Sequence, residues 1–314
     1  MKKNKIYIIL SFLAVFLAAC NPSPSLDDKT MLDYGQISYA LPDSLNKHLL
    51  SAYLPNPTPS QLNTPVIICA HGYTATTFEW DELRAYANTK GTFLVSQVLL
   101  GGHGRSYQEF KKSSWEDWQS SITEEYQQLS KKGYKKIYLA GSSTGAPLIV
   151  NMIKNNFFKP DSLPKGVFLV DPIIVSSNKT LTLVGLLGPI LGYLTVDMAA
   201  GEKGHWYVYR PQETLKELMA LIDLTRIDLE KGIYLPVGTT MKVYKSEKDE
   251  TADPVSAFMI YKGMRTSSGG NIEVEMESSN LHVFTRLEGR DNITAEQRAL
   301  QQKAFADMES RMTK

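Results

Sequence analysis

From about residue 65 to residue 275 the chain alternates short, continuously apolar runs with longer amphipathic stretches, and few folds accommodate that pattern. Pro65–Ala70, Thr92–Leu100, Lys136–Ala140, Gly166–Asp171, Met241–Lys245 and Asn271–Glu275 read as strands. Strands apolar along their whole length must be covered on both faces, which calls for a parallel sheet between helices. The intervening segments supply those helices: Phe78–Lys90, a stretch from Ser113 to about Leu129, Gly145–Asn155 and Thr251–Tyr261. Ser113 with Glu116, and Thr294 with Gln297 before the last helix, have the spacing of capping boxes. Ile37–Leu41 and the region near Leu49–Tyr53 are expected to add antiparallel edge strands. The pattern predicts one α/β domain over residues 36–314, with a mostly parallel, doubly wound sheet.

One segment breaks the alternation. Between Ile173 and about Tyr209 the chain is apolar and interrupted by glycine with no clean period, which predicts a cap inserted over a pocket at about 173–209. Leu181–Leu194 carries no charge, so the cap is expected to admit acyl chains and to favour substrates uncharged at the acyl end.

The N-terminus has a different character. Lys2, Lys3 and Lys5 precede the apolar run Ile6–Phe16, and Leu17-Ala18-Ala19-Cys20 closes it. The run is shorter than the roughly 20 residues that cross a bilayer, so a secretory signal over residues 1–19 is expected. Its ending resembles the lipobox of bacterial lipoproteins. That resemblance implies lipidation of Cys20, a tether over 20–35, and a domain held at the bacterial cell envelope, facing periplasm or exterior. The other cysteine, Cys69, lies in an apolar strand, and no Cys/His spacing suits a metal, so neither metal nor cofactor is expected. Lys+Arg 34 against Asp+Glu 33 gives a net charge of +1, which argues against nucleic acid as a partner.

Polar residues with catalytic chemistry fall at the carboxyl ends of four predicted strands, where sites form in open parallel sheets. After the third strand comes Gly141-Ser142-Ser143-Thr144-Gly145. Ser143, not Ser142, has glycine at both −2 and +2 and takes the nucleophile position of a strand–turn–helix elbow. At a helix start it also lies beside free N–H groups that can meet an oxyanion. A serine hydroxyl needs a base. Of the five histidines, His282 alone lies in the last hundred residues, just beyond the last predicted strand, whereas His48, His71, His103 and His205 read as structural. Asp249 and Asp171 both follow strands, and either gives the order Ser…Asp…His. Pro172 predicts an extended backbone at Asp171 and a loop-holding role for its side chain.

The stretches HGYTATTFEWDEL, GGHG, GYKKIYLAGSSTG, KDETADPVSAFMIY and NLHV together resemble the small bacterial carboxylesterase and monoacylglycerol lipase branch of the α/β-hydrolases, over roughly residues 60 to 312. The resemblance implies an α/β-hydrolase fold and cleavage of a small apolar carboxylic ester through an acyl-enzyme. It implies Ser143 as nucleophile, His282 as base and Asp249 as the orienting acid. The backbone N–H groups of Tyr73 and Thr144 would form the oxyanion hole, and Trp115 and Trp118 would pack the helix before the elbow strand. Gly145 is followed by Ala146-Pro147 where the family has a further glycine, a departure that a helix's first turn tolerates. A peptidase, amidase or thioesterase could use the same triad, and a non-catalytic lipoprotein could bind an apolar ligand in the same fold.

Overall fold

The computed structural model describes residues 22–26, 47–177 and 191–314. The signal, Cys20, the expected strand Ile37–Leu41 and residues 178–190 of the expected cap lie outside these.

Six strands form one sheet: β1 (Val66–Ala70), β2 (Leu94–Val98), β3 (Ile137–Ser142), β4 (Gly166–Val170), β8 (Thr240–Ser246) and β10 (Glu273–Glu277). Their spatial order is β10-β8-β4-β3-β1-β2, and every adjacent pair is parallel. Period two along each strand divides its side chains between two cores. Val66, Ile68, Ala70, Leu139, Leu169 and Val243 face one layer, while Ile67, Cys69, Ala140, Val170 and Tyr244 face the other. The first layer is covered by α1 (Leu50–Tyr53), α5 (Trp115–Lys132), α6 (Gly145–Lys154), α7 (Gln212–Lys231) and α8 (Val255–Gly263). The second is covered by α3 (Asp81–Lys90) and α9 (Ala295–Thr313). Two short helices, α2 (Pro59–Asn63) and α4 (Tyr107–Lys112), lie in connections.

Several local expectations are corrected. Leu50–Tyr53 is a helical turn, not an edge strand, and Leu50 N–H donates to Ser96 Oγ on β2. The capping box before α5 is Ser114 with Asp117, one residue later than Ser113 with Glu116, because Ser106 and Glu109 cap a separate α4 first. Ser113 Oγ is instead the acceptor for the Trp118 indole N–H at 2.8 Å. Trp118 is fully buried and Trp115 packs against the same core. Thr294 and Gln297 do form their box at the start of α9.

The insertion between β4 and β8 contains, in its described part, the antiparallel hairpin β5 (Tyr193–Thr195) and β6 (Tyr209–Pro211), then α7. A two-residue pair, β7 (Ile233–Tyr234) and β9 (Met264–Arg265), lies beyond. The hairpin is moored over the carboxyl ends of β1 and β2. Tyr207 N–H donates to Thr74 O at 3.0 Å, and the Tyr207 hydroxyl accepts from Arg105 N–H at 2.9 Å. The chain leaves β1 for β2 at one edge and returns to β3 on the other side of β1. The loops after β1 and β3 therefore diverge around a crevice at this reversal of strand order, where open sheets place their sites.

Candidate active site

The turn after β3 is shaped by what cannot fit. A Cβ at Gly141 would lie 2.6 Å from the Gly145 carbonyl carbon, and one at Gly145 would lie 2.4 Å from Ala70 O. Both positions must be glycine if α6 is to start against β1, and Pro147 sits in its first turn without cost. Ser143 is pressed between them with φ of 47°, a left-handed backbone that a residue with Cβ adopts only under constraint. Among the described residues six non-glycines have positive φ. Four of them are Thr74, Ser143, Asp171 and Val283, each a site residue or its neighbour; the other two are asparagines. Asp171, at φ 44°, is not extended as Pro172 suggested. Its N–H donates to Tyr244 O at 2.9 Å, and Ser246 and Phe284 claim its carboxylate, so tertiary hydrogen bonds override the local preference.

Ser143, His282 and Asp249 come together. His282 Nε2 lies 2.9 Å from Ser143 Oγ, and His282 Nδ1 lies 2.8 Å from Asp249 Oδ2. Burial alone would raise the Asp249 pKa. The hydrogen bond with His282 and the charge of Lys245 outweigh it and hold the carboxyl below the usual carboxylate range. An ionised carboxylate only accepts, so Nδ1 carries the imidazole proton and Nε2 offers its lone pair to the Ser143 hydroxyl. Asp249 Oδ1 accepts from Thr251 N–H at 2.8 Å and Ala252 N–H at 3.0 Å, which fixes the carboxylate plane. Arg290 donates to the His282 carbonyl and steadies the loop carrying the imidazole.

The choice between the two aspartates has a third participant. Lys245, fully buried on β8, reaches Asp249 Oδ2 at 2.5 Å and Asp171 Oδ1 at 3.1 Å. Asp171 also accepts from Ser246 N–H at 2.7 Å and from Phe284 N–H at 3.2 Å, but contacts no histidine ring. Asp171 thus balances the lysine and anchors the His282 loop, while Asp249 alone meets the imidazole. Lys245 escaped the sequence reading although it carried a signal, a charge inside an apolar strand four residues before Asp249. Glu79 was missed as well. It is buried beside the elbow, accepts from Gly72 N–H at 2.8 Å and from the Ser142 hydroxyl, and so ties the β1 loop to the β3 turn.

Tyr73 and Thr144 line the same cavity as Ser143 and His282, a space of about 570 Å³ roofed by the hairpin. Among the described residues no acceptor takes the N–H of either, which leaves both donors for a ligand oxygen. His71 and His103 are buried and do not line the cavity. The His71 ring links Gly72 O at 2.8 Å to Leu100 N–H at 3.1 Å, and burial pushes its pKa down to about 4. His103 packs on Trp118 and Phe110, His48 meets Gln97, and His205 stacks on Phe78. Each of the four rings thus meets protein groups. Among the described residues no group of His, Cys, Asp and Glu could hold a metal.

No protein-family model matches the chain. It is 25% identical over 225 residues to a thermostable monoacylglycerol lipase of Bacillus sp. strain H-257, covering 71% of this chain and 85% of that protein. It is 24% identical over 242 residues to a carboxylesterase of Bacillus subtilis strain 168, covering 76% and 92%. The structure superposes on one from a study of the metagenome-derived lipolytic enzymes LipS and LipT with a TM-score of 0.63 at 17% identity, over 79% and 94% of the two chains. A soluble variant of the monoglyceride lipase of Saccharomyces cerevisiae matches with a TM-score of 0.64 at 11% identity, over 80% and 86%. The fold is that of the α/β-hydrolases.

Removing the buried ammonium while leaving both carboxylates should be severe. Lys245→Met is expected to lose about 3–5 kcal/mol of unfolding free energy at pH 7. Lys245→Met with Asp171→Asn removes one charge of each sign and should recover a large part. Urea unfolding of both variants checks this, and a double variant no more stable than the single one would contradict it.

Proposed function

We propose that the protein is a serine hydrolase that cleaves carboxylic esters through an acyl-enzyme. The reading rests on one observation: the unbroken contact from Ser143 Oγ through the His282 ring to Asp249, set in the wall of a cavity. The two sequence relatives, one named a monoacylglycerol lipase and the other a carboxylesterase, support the same class of reaction.

In this scheme the Ser143 hydroxyl attacks the ester carbonyl as His282 Nε2 takes its proton. The imidazolium is stabilised by Asp249, which keeps its negative charge throughout. The oxyanion accepts hydrogen bonds from Tyr73 and Thr144 N–H, donors already fixed by the β1 loop and the start of α6. His282 returns the proton to the leaving alcohol, and water then enters by the same route to release the acid. The chemistry is complete with the side chains named and uses no cofactor.

The second part of the proposal is the anchor. Lipidation of Cys20 would hold the domain on a membrane of the bacterial envelope, facing periplasm or exterior. Pro22, two residues beyond, lies against Gly192 of the inserted segment, where a Cβ would fall 2.0 Å from the Pro22 carbonyl oxygen. The anchor would therefore hold the hairpin side of the domain near the lipid.

Two measurements test these readings. Ser143→Ala should abolish both ester hydrolysis and labelling by a fluorophosphonate, whereas Ser142→Ala, one residue out of register, should keep most of each. Equal losses would remove Ser143 from the nucleophile position, and turnover confined to amides or thioesters would replace the ester reading. Cys20→Ser should stop incorporation of labelled fatty acid in the bacterial host, and undiminished incorporation would rule this cysteine out as acceptor.

A further inference from the structure

Three arginines line the cavity beside Ser143: Arg210, Arg286 and Arg290. Two have their charge answered. Arg286 pairs with Glu202 at 2.6 Å and lies over the Trp206 ring at 4.5 Å. Arg290 donates to the carbonyl oxygens of His282 and Val283. Arg210, on β6, has no such arrangement. The Nε of each of the three is buried without an acceptor, but no described residue takes a hydrogen bond or ion pair from the Arg210 guanidinium.

Burial lowers the Arg210 pKa, yet a guanidinium does not shed its proton, and the half-buried side chain leaves that charge open to the cavity. The nearest ionisable group cannot supply a counter-charge. Burial pushes the Tyr73 pKa up, and its hydroxyl is held by Thr214 Oγ1 at 2.7 Å, so the ring stays neutral. Glu79 is engaged by Gly72 and Ser142, Glu202 by Arg286, and Glu213, the other charge acting on Tyr73, by Lys111 at 3.6 Å. The cavity lining also includes the apolar Leu194, Leu215 and Leu218 and the carboxylates of Asp197 and Glu250.

Position narrows the ligand. The backbone before Tyr73 touches the nucleophile, since a Cβ on Gly72 would lie 3.0 Å from Ser143 Cβ. The tyrosine's far end interacts electrostatically with Arg210. Arg210 and Ser143 line one cavity of about 570 Å³, so a ligand seated at Ser143 can reach the guanidinium. We infer that Arg210 receives a carboxylate carried by the ester substrate, several carbon atoms from the scissile bond, with the apolar side chains covering the methylene chain between. The planar guanidinium presents paired N–H donors that match a carboxylate. This rests on the ester-hydrolase reading and replaces the uncharged acyl end expected from the sequence with an anionic one, or places the charge on the alcohol.

The test compares esters that differ only in that charge. In one arm monomethyl adipate is set against dimethyl adipate; in the other 4-(hexanoyloxy)butanoate is set against its methyl ester. Wild-type enzyme should prefer the anionic ester in one arm, which identifies the side carrying the charge. In Arg210→Gln the ratio of kcat/KM for anionic over neutral ester should fall by about ten- to a hundredfold, the scale of a charged hydrogen-bond pair. The unfolding midpoint of Arg210→Gln should be no lower than wild type, because no described residue takes a hydrogen bond or ion pair from the guanidinium. A preference for neutral esters in both arms, or an anionic preference that survives Arg210→Gln, would overturn the inference. Calorimetry with Ser143→Ala separates this from the chemistry. The anionic ester of the preferred pair should bind it and lose binding when Arg210→Gln is added; if nothing is turned over at all, the same titration with both anionic esters still decides the role of Arg210.

Discussion

Three charges sealed from water, Asp171, Lys245 and Asp249, set the terms for the rest of the site. Each would be prohibitive alone, and together they are tolerable only when β4, β8 and the loop bearing His282 are all in place. Lys245 shares the Asp249 oxygen that faces His282, so the lysine and the imidazole meet one carboxylate while Asp171 neutralises the lysine from the other side. One negative charge is left over to stabilise the imidazolium of the proposed acyl transfer. Phe284 N–H, which donates to Asp171 at 3.2 Å, carries the same arrangement into the loop that holds the base. Orientation of His282 and cohesion of the sheet's carboxyl end are thus one electrostatic problem with one solution.

Backbone strain is concentrated around that solution. Ser143, Asp171, Thr74 and Val283 are left-handed without being glycine, and a β-branched residue such as Val283 adopts that conformation only when its neighbours leave no alternative. The neighbours are identifiable. The Gly145–Ala70 approach holds Ser143, the bonds to Tyr244 and Ser246 hold Asp171, and Arg290 grips the carbonyls on either side of Val283. Stability invested in the two cores on either side of the sheet keeps the reacting groups in a geometry that local preferences oppose.

The parts of this architecture that obey local rules were legible in the sequence. Apolar runs buried on both faces announced β1, β3 and β4 as strands of a parallel sheet, and glycines at 141 and 145 distinguished Ser143 from Ser142. The remainder depended on tertiary partners. Leu49–Tyr53 is apolar enough for a strand, but Ser96 and Glu125 capture its N–H and hydroxyl groups and leave it a turn of helix. Asp171 and Asp249 both follow strands, so position alone did not separate them; the resemblance favoured Asp249, and the His282 ring lies 2.8 Å from that carboxylate. Arg210 carries no signal along the chain, because the cavity that it lines is assembled only by folding. By contrast α7, with Leu215, Leu218, Ile222 and Leu229 buried at helical spacing, had a pattern that the segment-by-segment reading passed over.

In the proposed mechanism Asp249 is the only acid that orients the base, with Asp171 acting through Lys245 and the loop backbone. Steady-state kinetics on a neutral ester with Asp249→Asn and Asp171→Asn, each with its unfolding free energy, test this most directly. Asp249→Asn should lower kcat by about 10⁴-fold, because the histidine then takes the wrong tautomer. Asp171→Asn should lose chiefly stability and keep kcat within about tenfold of wild type, the scale set by a loosened base rather than a missing one. A kcat that collapses in Asp171→Asn and survives in Asp249→Asn would contradict the account.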